Sequence, residues 1–418
     1  MLSISSICGR IFEIFINQTL EPNVSGILND EIFGYRTGKG TTDAVEHIID
    51  RTRFLKKQMK GNKIALVAID LKGAFDNISH DAIINGLHLT NATDRTIDFF
   101  TSYLRGRSEY IKLGDHTSEI WNASNHGVGQ GRPCASYLFN CGAYARYQIG
   151  NDKSSAKSIY ADDQMAVVLG KTDEKLIDNI LIFYKENQRY FSNIGMQLQP
   201  SKTEILPLNC GIRNLEIEGQ KIKTKAVVTF LGYQINKNLD TRSHVTKMNI
   251  KIRKIASKMR KFHDLTIQQR KLLYVAWVQG SLMSNGKIYL PLLNKSETRK
   301  LQVACNIAIR AIIKKNVKDY MNMEKVRVKL NIASIEQLKM QIIMTHAWKK
   351  RESYKLEIEN RSGAYTRSTT AQMLLKERTD VYNTKERDAF NLIPLNIRNM
   401  NNEDYAKKQI KILTRMQA

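Results

Sequence analysis

The 418-residue sequence predicts an α+β protein, with a front part of alternating strands and helices followed by a helical, strongly basic rear. Three observations predict it. The run Ile64–Ile69 has the length and aliphatic content of a buried strand, Ile159–Leu169 reads as a hairpin with acidic residues at its tip, and residues 245–262 repeat apolar side chains at helical spacing. With 42% hydrophobic and 25% charged residues the chain is not wholly disordered, and six prolines with 23 glycines exclude collagen-like or linker sequence. Its length suits two or three domains.

The first residues are apolar, but Arg10 and Glu13 interrupt them where a signal peptide needs a continuous hydrophobic stretch, and no run reaches membrane-spanning length. The five cysteines are scattered, without zinc spacing or a disulfide framework, so an intracellular, reducing compartment is expected. Ile64–Ile69 is bounded by Gly61-Asn62 and by Asp70, so its end delivers a carboxylate. Residues 172–194 read as a helix: Thr172 is the N-cap, Asp173-Glu174 fill the first turn, Leu176, Ile177, Ile180, Leu181 and Tyr184 form the apolar face, and Gly195 ends it. Ala226–Ile235 is expected as one strand, with Gly232 at a bend or close approach.

In residues 245–262 one stripe is Val245, Met248, Ile252, Ile255, Met259 and Phe262, and a second is Lys247, Lys251, Lys254, Lys258 and Lys261. Arg253 and Arg260 add charge, and no acidic residue relieves it. Such a face contacts nucleic acid, where it releases counterions, or is simply solvated. Residues 296–316 and 334–350 are again basic and amphipathic, residues 351–390 are polar enough for a partly flexible connection, and the last 28 regain apolar spacing. The net charge of +25 is unevenly spread: residues 1–240 carry 28 basic and 26 acidic side chains, residues 241–418 carry 37 and 14. That asymmetry suits a chemical module joined to a polyanion-gripping one.

Three carboxylates stand out, Asp70 and the Asp162-Asp163 pair. A hairpin tip beside the end of the Asp70 strand would gather them. Carboxylates so gathered raise one another's pKa or bind a hard cation, and two Mg²⁺ ions at such a site suit nucleotidyl transfer. An Asp-Asp pair in a turn is, taken alone, ordinary turn chemistry.

The segments FGYRTGKGTTDAV (33–45), ALVAIDLKGAFDNISHDAIINGL (65–87), SYLRGRSEYIKLG (102–114), GVGQGRPCASYLFN (127–140), YADD (160–163), GMQLQPSKTEIL (195–206) and FLGYQI (230–235) follow one another in order. Together they resemble the successive blocks of reverse transcriptases from non-LTR (LINE-type) retrotransposons, and residues 294–316 and 389–411 are similar to the regions after the thumb. The resemblance implies a right-hand polymerase: partial fingers and a palm with an antiparallel sheet over 1–240, a helical thumb over 241–293, and a helical, basic C-terminal region over 294–418.

Residue by residue, the resemblance implies that Asp70 and Asp162 bind metal, with Asp163 as the third acidic member. Phe75 matches the steric gate against a 2′-hydroxyl; core packing is the other reading. Gln130 and Gly131 match the pair lining the incoming nucleotide and template. Lys202 matches a general acid toward pyrophosphate; an exposed salt-bridge lysine is the other reading. Arg36 and Arg10 match basic positions suited to phosphates, a solvated surface arginine being the other reading for each, and Leu231-Gly232 match the primer-grip turn. Tyr160 reads as a packing residue.

This sequence also departs from the family pattern. It begins inside the first block, without the leading Arg-Pro and the earlier finger hairpin. Gly129 replaces a common Pro, and Arg132-Pro133-Cys134-Ala135 replaces Ser-Pro-Leu-Ser. The expectation is an RNA-directed DNA polymerase of a LINE-like element that takes an RNA template, a DNA primer, dNTPs and two Mg²⁺ or Mn²⁺ ions, with no organic cofactor and no membrane. The rival is a polymerase-like nucleic-acid-binding protein impaired by incomplete fingers. A metal-dependent nuclease fits less well, since it leaves Phe75, Gln130 and the basic helix unexplained together. The family implies nuclear residence, with which the basic pair Lys314-Lys315 accords.

Overall fold

The computed structural model describes residues 6–122, 125–151, 154–217, 219–350 and 388–416. The chain divides into two compact units, Met1–Asp240 and Thr241–Ala418.

The first unit is built on a six-stranded sheet in the order Asn214–Ile217, Gln220–Thr224, Glu204–Pro207, Lys63–Ile69, Asp163–Gly170, Ser154–Tyr160. All neighbours are antiparallel except Glu204–Pro207 with Gln220–Thr224. Lys63–Ile69 is central because both its faces are apolar. Ala65, Val67 and Ile69 join a core with Leu176, Ile180, Phe183 and Tyr184 of the helix Asp173–Asn193, while Ile64 and Leu66 are buried on the opposite face. Each large aliphatic side chain so buried contributes roughly 1.5–3 kcal/mol, which anchors the strand that ends at Asp70. Thr172 caps the Asp173–Asn193 helix as expected, accepting from the Lys175 N–H. A second core gathers Leu20 and Val24 of the helix Ile7–Ile27, Ile83 and Leu87 of His80–His88, Phe100 of Asp94–Leu104, and Leu138 and Phe139 of Ala135–Gly142.

Ala226–Ile235 departs from the single strand expected of it. It is a hairpin, Val227–Phe230 paired with Tyr233–Asn236. The chain reverses at Leu231 and Gly232, which both take positive φ (46° and 82°), the backbone of a tight two-residue turn. Apolar residues continue through the turn, so its composition conceals the reversal.

The second unit is helical. Its first helix, Arg242–Arg260, buries Val245, Met248, Ile252, Ala256 and Met259 and packs along Lys295–Ile312. Thr241 donates its hydroxyl proton to Glu297 at 2.9 Å, and Asn294 caps the second helix of this pair. The expected boundary at 293/294 therefore runs between two helices packed on each other. Phe262 lies beyond the end of the first helix and is 40% exposed, so it does not complete the apolar stripe. Ile335–Lys349 and Glu403–Met416 close a smaller core around Trp348 and Phe390. Most of the expected polar connection, residues 351–387, lies outside the described residues.

Candidate active site

Asp70 directly follows the central strand. The last register pair of that strand with its neighbour is Ile69 with Gln164, so one step further brings Asp70 level with Asp163. Across the hairpin Tyr160 pairs with Asp163, leaving Ala161 and Asp162 as a two-residue turn in which Ala161 adopts φ 53°. The expected hairpin is thus present, with Asp162 on the turn and Asp163 opening the second strand. Protein atoms crowding Asp163, and then the charges of Asp162 and Asp70, push its carboxyl up to about 6.

Lys202 ends a short helical turn, Pro200–Lys202, held against the Asp70 strand by the Gln199 N–H donating to the Asp70 carbonyl at 3.0 Å. Its Nζ stands 3.2 Å from Asp70 Oδ2. That oxygen is buried and, beyond this ion pair, meets no hydrogen-bond donor among the described residues. Also among the described residues, no group of three or more His, Cys, Asp or Glu side chains is gathered as a metal-ligand set. The three expected metal-binding carboxylates are therefore not preassembled as one set. Alternation supplies a reason, since neighbouring residues at a strand's start do not share a face. Mg²⁺ needs fewer protein ligands than that: one or two carboxylates serve, with substrate phosphates completing the shell. Asp70, with its buried acceptor, and Asp162 fit this requirement.

Phe75 follows at the side of the site on the short helix Ala74–Asn77. Its half-buried ring stacks on Phe139 (centroids 4.5 Å, 15°) and meets the edge of Tyr35 at 6.0 Å. Gln130 Nε2 donates to both oxygens of Asp76 at 3.1 Å, which ties the Gln130-Gly131 turn to the residue after Phe75. Tyr160 packs on Tyr35 at 6.4 Å. Burial, then Asp162, raises the pKa of Tyr35.

The remaining expected residues make contacts of their own or are exposed. Arg36 Nη1 donates to the carbonyls of Asn29 (2.7 Å) and Ile32 (3.2 Å), binding its own loop together. Arg10 is exposed on the helix Ile7–Ile27. Leu231 and Gly232 form the turn of the separate hairpin. Lys251, Lys254, Lys258 and Lys261 are exposed in the second unit, whereas Lys247 is half-buried.

Sequence reasoning missed the support beneath the acidic turn. Arg146, 2% exposed, donates from Nη1 to the Ala161 carbonyl, and its guanidinium lies 5.5 Å from the Phe139 ring centroid. Burial brings its pKa down to about 10, so it stays charged at neutral pH. Asn140 Nδ2 donates to the Gly34 carbonyl at 2.9 Å, and Gly34 in turn abuts Ala161. Arg132, a departure from the family pattern, pairs with Glu13, which is 2% exposed and also receives the Tyr103 hydroxyl at 3.3 Å. A polar residue beside Gly or an aromatic is the only sequence signal these positions carry.

A central strand ending in an acid, an acidic two-residue turn beside it and a ring stack at its flank define a palm-type polymerase domain. Comparison with known proteins makes the class specific. A model of the family "Reverse transcriptase (RNA-dependent DNA polymerase)" matches residues 1–235, and the chain belongs to that family. It is 26% identical over 236 residues to the Retrovirus-related Pol polyprotein from type-1 retrotransposable element R2 of Nasonia vitripennis, covering 54% of this chain and 21% of that protein. Against the protein of the same name from Popillia japonica it is 27% identical over 161 residues, covering 37% and 26%. The chain thus spans about a quarter of the length of these non-LTR relatives. A solved telomerase from Candida tropicalis, in complex with a TWJ fragment of telomeric RNA, is similar with a TM-score of 0.43 and 11% identity, covering 96% of this chain and 54% of that one. Among the described residues no helix is long and apolar enough to cross a membrane.

Proposed function

We propose that this chain is the RNA-directed DNA polymerase of a LINE-like element, extending a DNA 3′ end on an RNA template with dNTPs. The observation that carries this reading is the convergence of Asp70, at the close of the central strand, with the Asp162 turn and the Lys202 ammonium. Asp70 and Asp162 are the residues that would hold Mg²⁺ or Mn²⁺, which when bound acidifies a 3′-hydroxyl and neutralises phosphate charge. Lys202, with a side chain 61% exposed, can turn from Asp70 toward a departing pyrophosphate and give it a proton. Phe75, backed by Phe139, supplies a flat, rigid surface under the sugar that a 2′-hydroxyl would strike. The basic face of Arg242–Arg260 suits template–primer phosphates. Nuclear residence accords with such an element.

The second reading, a nucleic-acid-binding protein without turnover, draws on one observation: Asp70 already has an ion-pair partner in Lys202. Primer extension on poly(rA)/oligo(dT) with Mg²⁺ or Mn²⁺, run beside a binding titration, separates them. Incorporation supports the polymerase. Tight binding without incorporation under either metal would support the second reading.

A further inference from the structure

We propose that Arg146 is a positioning residue that couples the Asp162 turn to the sugar-facing ring of Phe75, so that one buried guanidinium sets both catalytic placement and selection against ribonucleotides. The inference rests on the polymerase reading above.

A buried arginine is costly unless its donors are used, yet among the described residues Nε and Nη2 of Arg146 make no hydrogen bond. Its place beneath the site calls for a role. Two contacts indicate one. Nη1 donates to the carbonyl of Ala161, a non-glycine residue at φ 53°, and so restrains a backbone conformation that alanine rarely adopts beside Asp162. The guanidinium also lies against Phe139, which stacks on Phe75 within 15° of parallel. The path from turn to ring therefore runs Ala161, Arg146, Phe139, Phe75, each link a direct contact. Gly34 closes the other side of the turn, held by Asn140, the neighbour of Phe139. Loss of the guanidinium frees the Ala161 carbonyl and removes the cation from beside the Phe139 ring, and Phe75, stacked on that ring, can then tilt away from the 2′ position.

The test measures kcat/KM for a dNTP and its matching rNTP in wild type, Arg146→Met and Phe139→Leu, with template–primer affinity and thermal melting recorded for each. The expected result is a dNTP/rNTP preference lowered about tenfold or more in both variants, with template–primer affinity unchanged. A merely structural role would slow both sugars alike. Phe139→Leu keeps the arginine and removes the ring's contacts with Phe75 and the guanidinium together with some core packing, which the melting measurement records, so it keeps the inference testable if Arg146→Met does not fold. A preference within about threefold of wild type in Phe139→Leu would overturn the inference. Absence of incorporation by wild type itself would overturn the polymerase reading and the inference with it.

Discussion

Gly34 faces the backbone of Ala161 with no space between them: a Cβ on Gly34 would overlap the Ala161 nitrogen and stand 3.2 Å from the Tyr160 carbonyl carbon. Backbone cannot yield as a flexible side chain can. Gly34→Ala is therefore expected to push the Ala161-Asp162 turn out of place while leaving the cores intact. Primer extension should fall on the order of 100-fold, the penalty of misplacing a reacting group by about 1 Å, while overpacking costs only about 1–3 kcal/mol of stability. Near-wild-type extension by Gly34→Ala would show that the turn tolerates displacement.

Buried Glu13 and half-buried Arg132 form a pair that fastens the helix Ile7–Ile27 to the turn before Ala135–Gly142. Arg132→Met leaves the Glu13 charge unpaired in the protein interior and should cost about 3–5 kcal/mol. Replacing both, as Glu13→Leu with Arg132→Met, should recover most of that loss. Urea denaturation of the two single variants and the double variant measures it; strict additivity would mean that the pair is not coupled.

His244 is buried against Tyr289, with ring centroids 4.7 Å apart. Burial, then Lys247 and Lys251, bring its pKa down to about 4 from 6.5. The folded state therefore refuses a proton that the unfolded state accepts between those values. Stability contributed by neutral His244 is present above about pH 6.5 and is lost as pH falls toward about pH 4, by up to about 3 kcal/mol. Denaturation midpoints compared across that window for wild type and His244→Phe isolate the effect from titrating carboxylates; identical pH slopes would contradict it.

The exposed lysines of Arg242–Arg260, together with Lys261 at its C-cap, carry a salt-dependence prediction. If Lys251, Lys254, Lys258 and Lys261 neutralise phosphates, changing all four to Gln should flatten the log–log dependence of template–primer affinity on salt by about 0.9 for each phosphate left without its lysine. An unchanged slope would mark this face as merely solvated.

Legibility in the sequence followed burial. Ile64–Ile69 was readable because a strand covered on both faces is apolar throughout, and the YADD hairpin because its acidic tip separates Ile159-Tyr160 from the apolar run Met165–Leu169. The same logic misled at Ala226–Ile235, where Leu231 occupies a turn position that apolar patterning assigns to a strand. Arg146 was hidden because tertiary packing alone decides whether an arginine is surface or interior. The pairing of Gln130 with Asp76, and of Arg36 with carbonyls of its own loop, likewise depends on neighbours that spacing does not encode. Glu13 and Arg132, 119 residues apart, stood out in the sequence only as an interruption and an irregularity.

The most direct test of the site is Asp162→Asn, assayed for single-turnover primer extension and, in the same preparation, for template–primer affinity. The carboxylate is lost with almost no change of shape. Extension should fall by at least about 1,000-fold with affinity within about twofold of wild type, since the residue acts on the reacting atoms and not on the duplex. Extension at the wild-type rate would contradict the assignment of Asp162 to the chemistry.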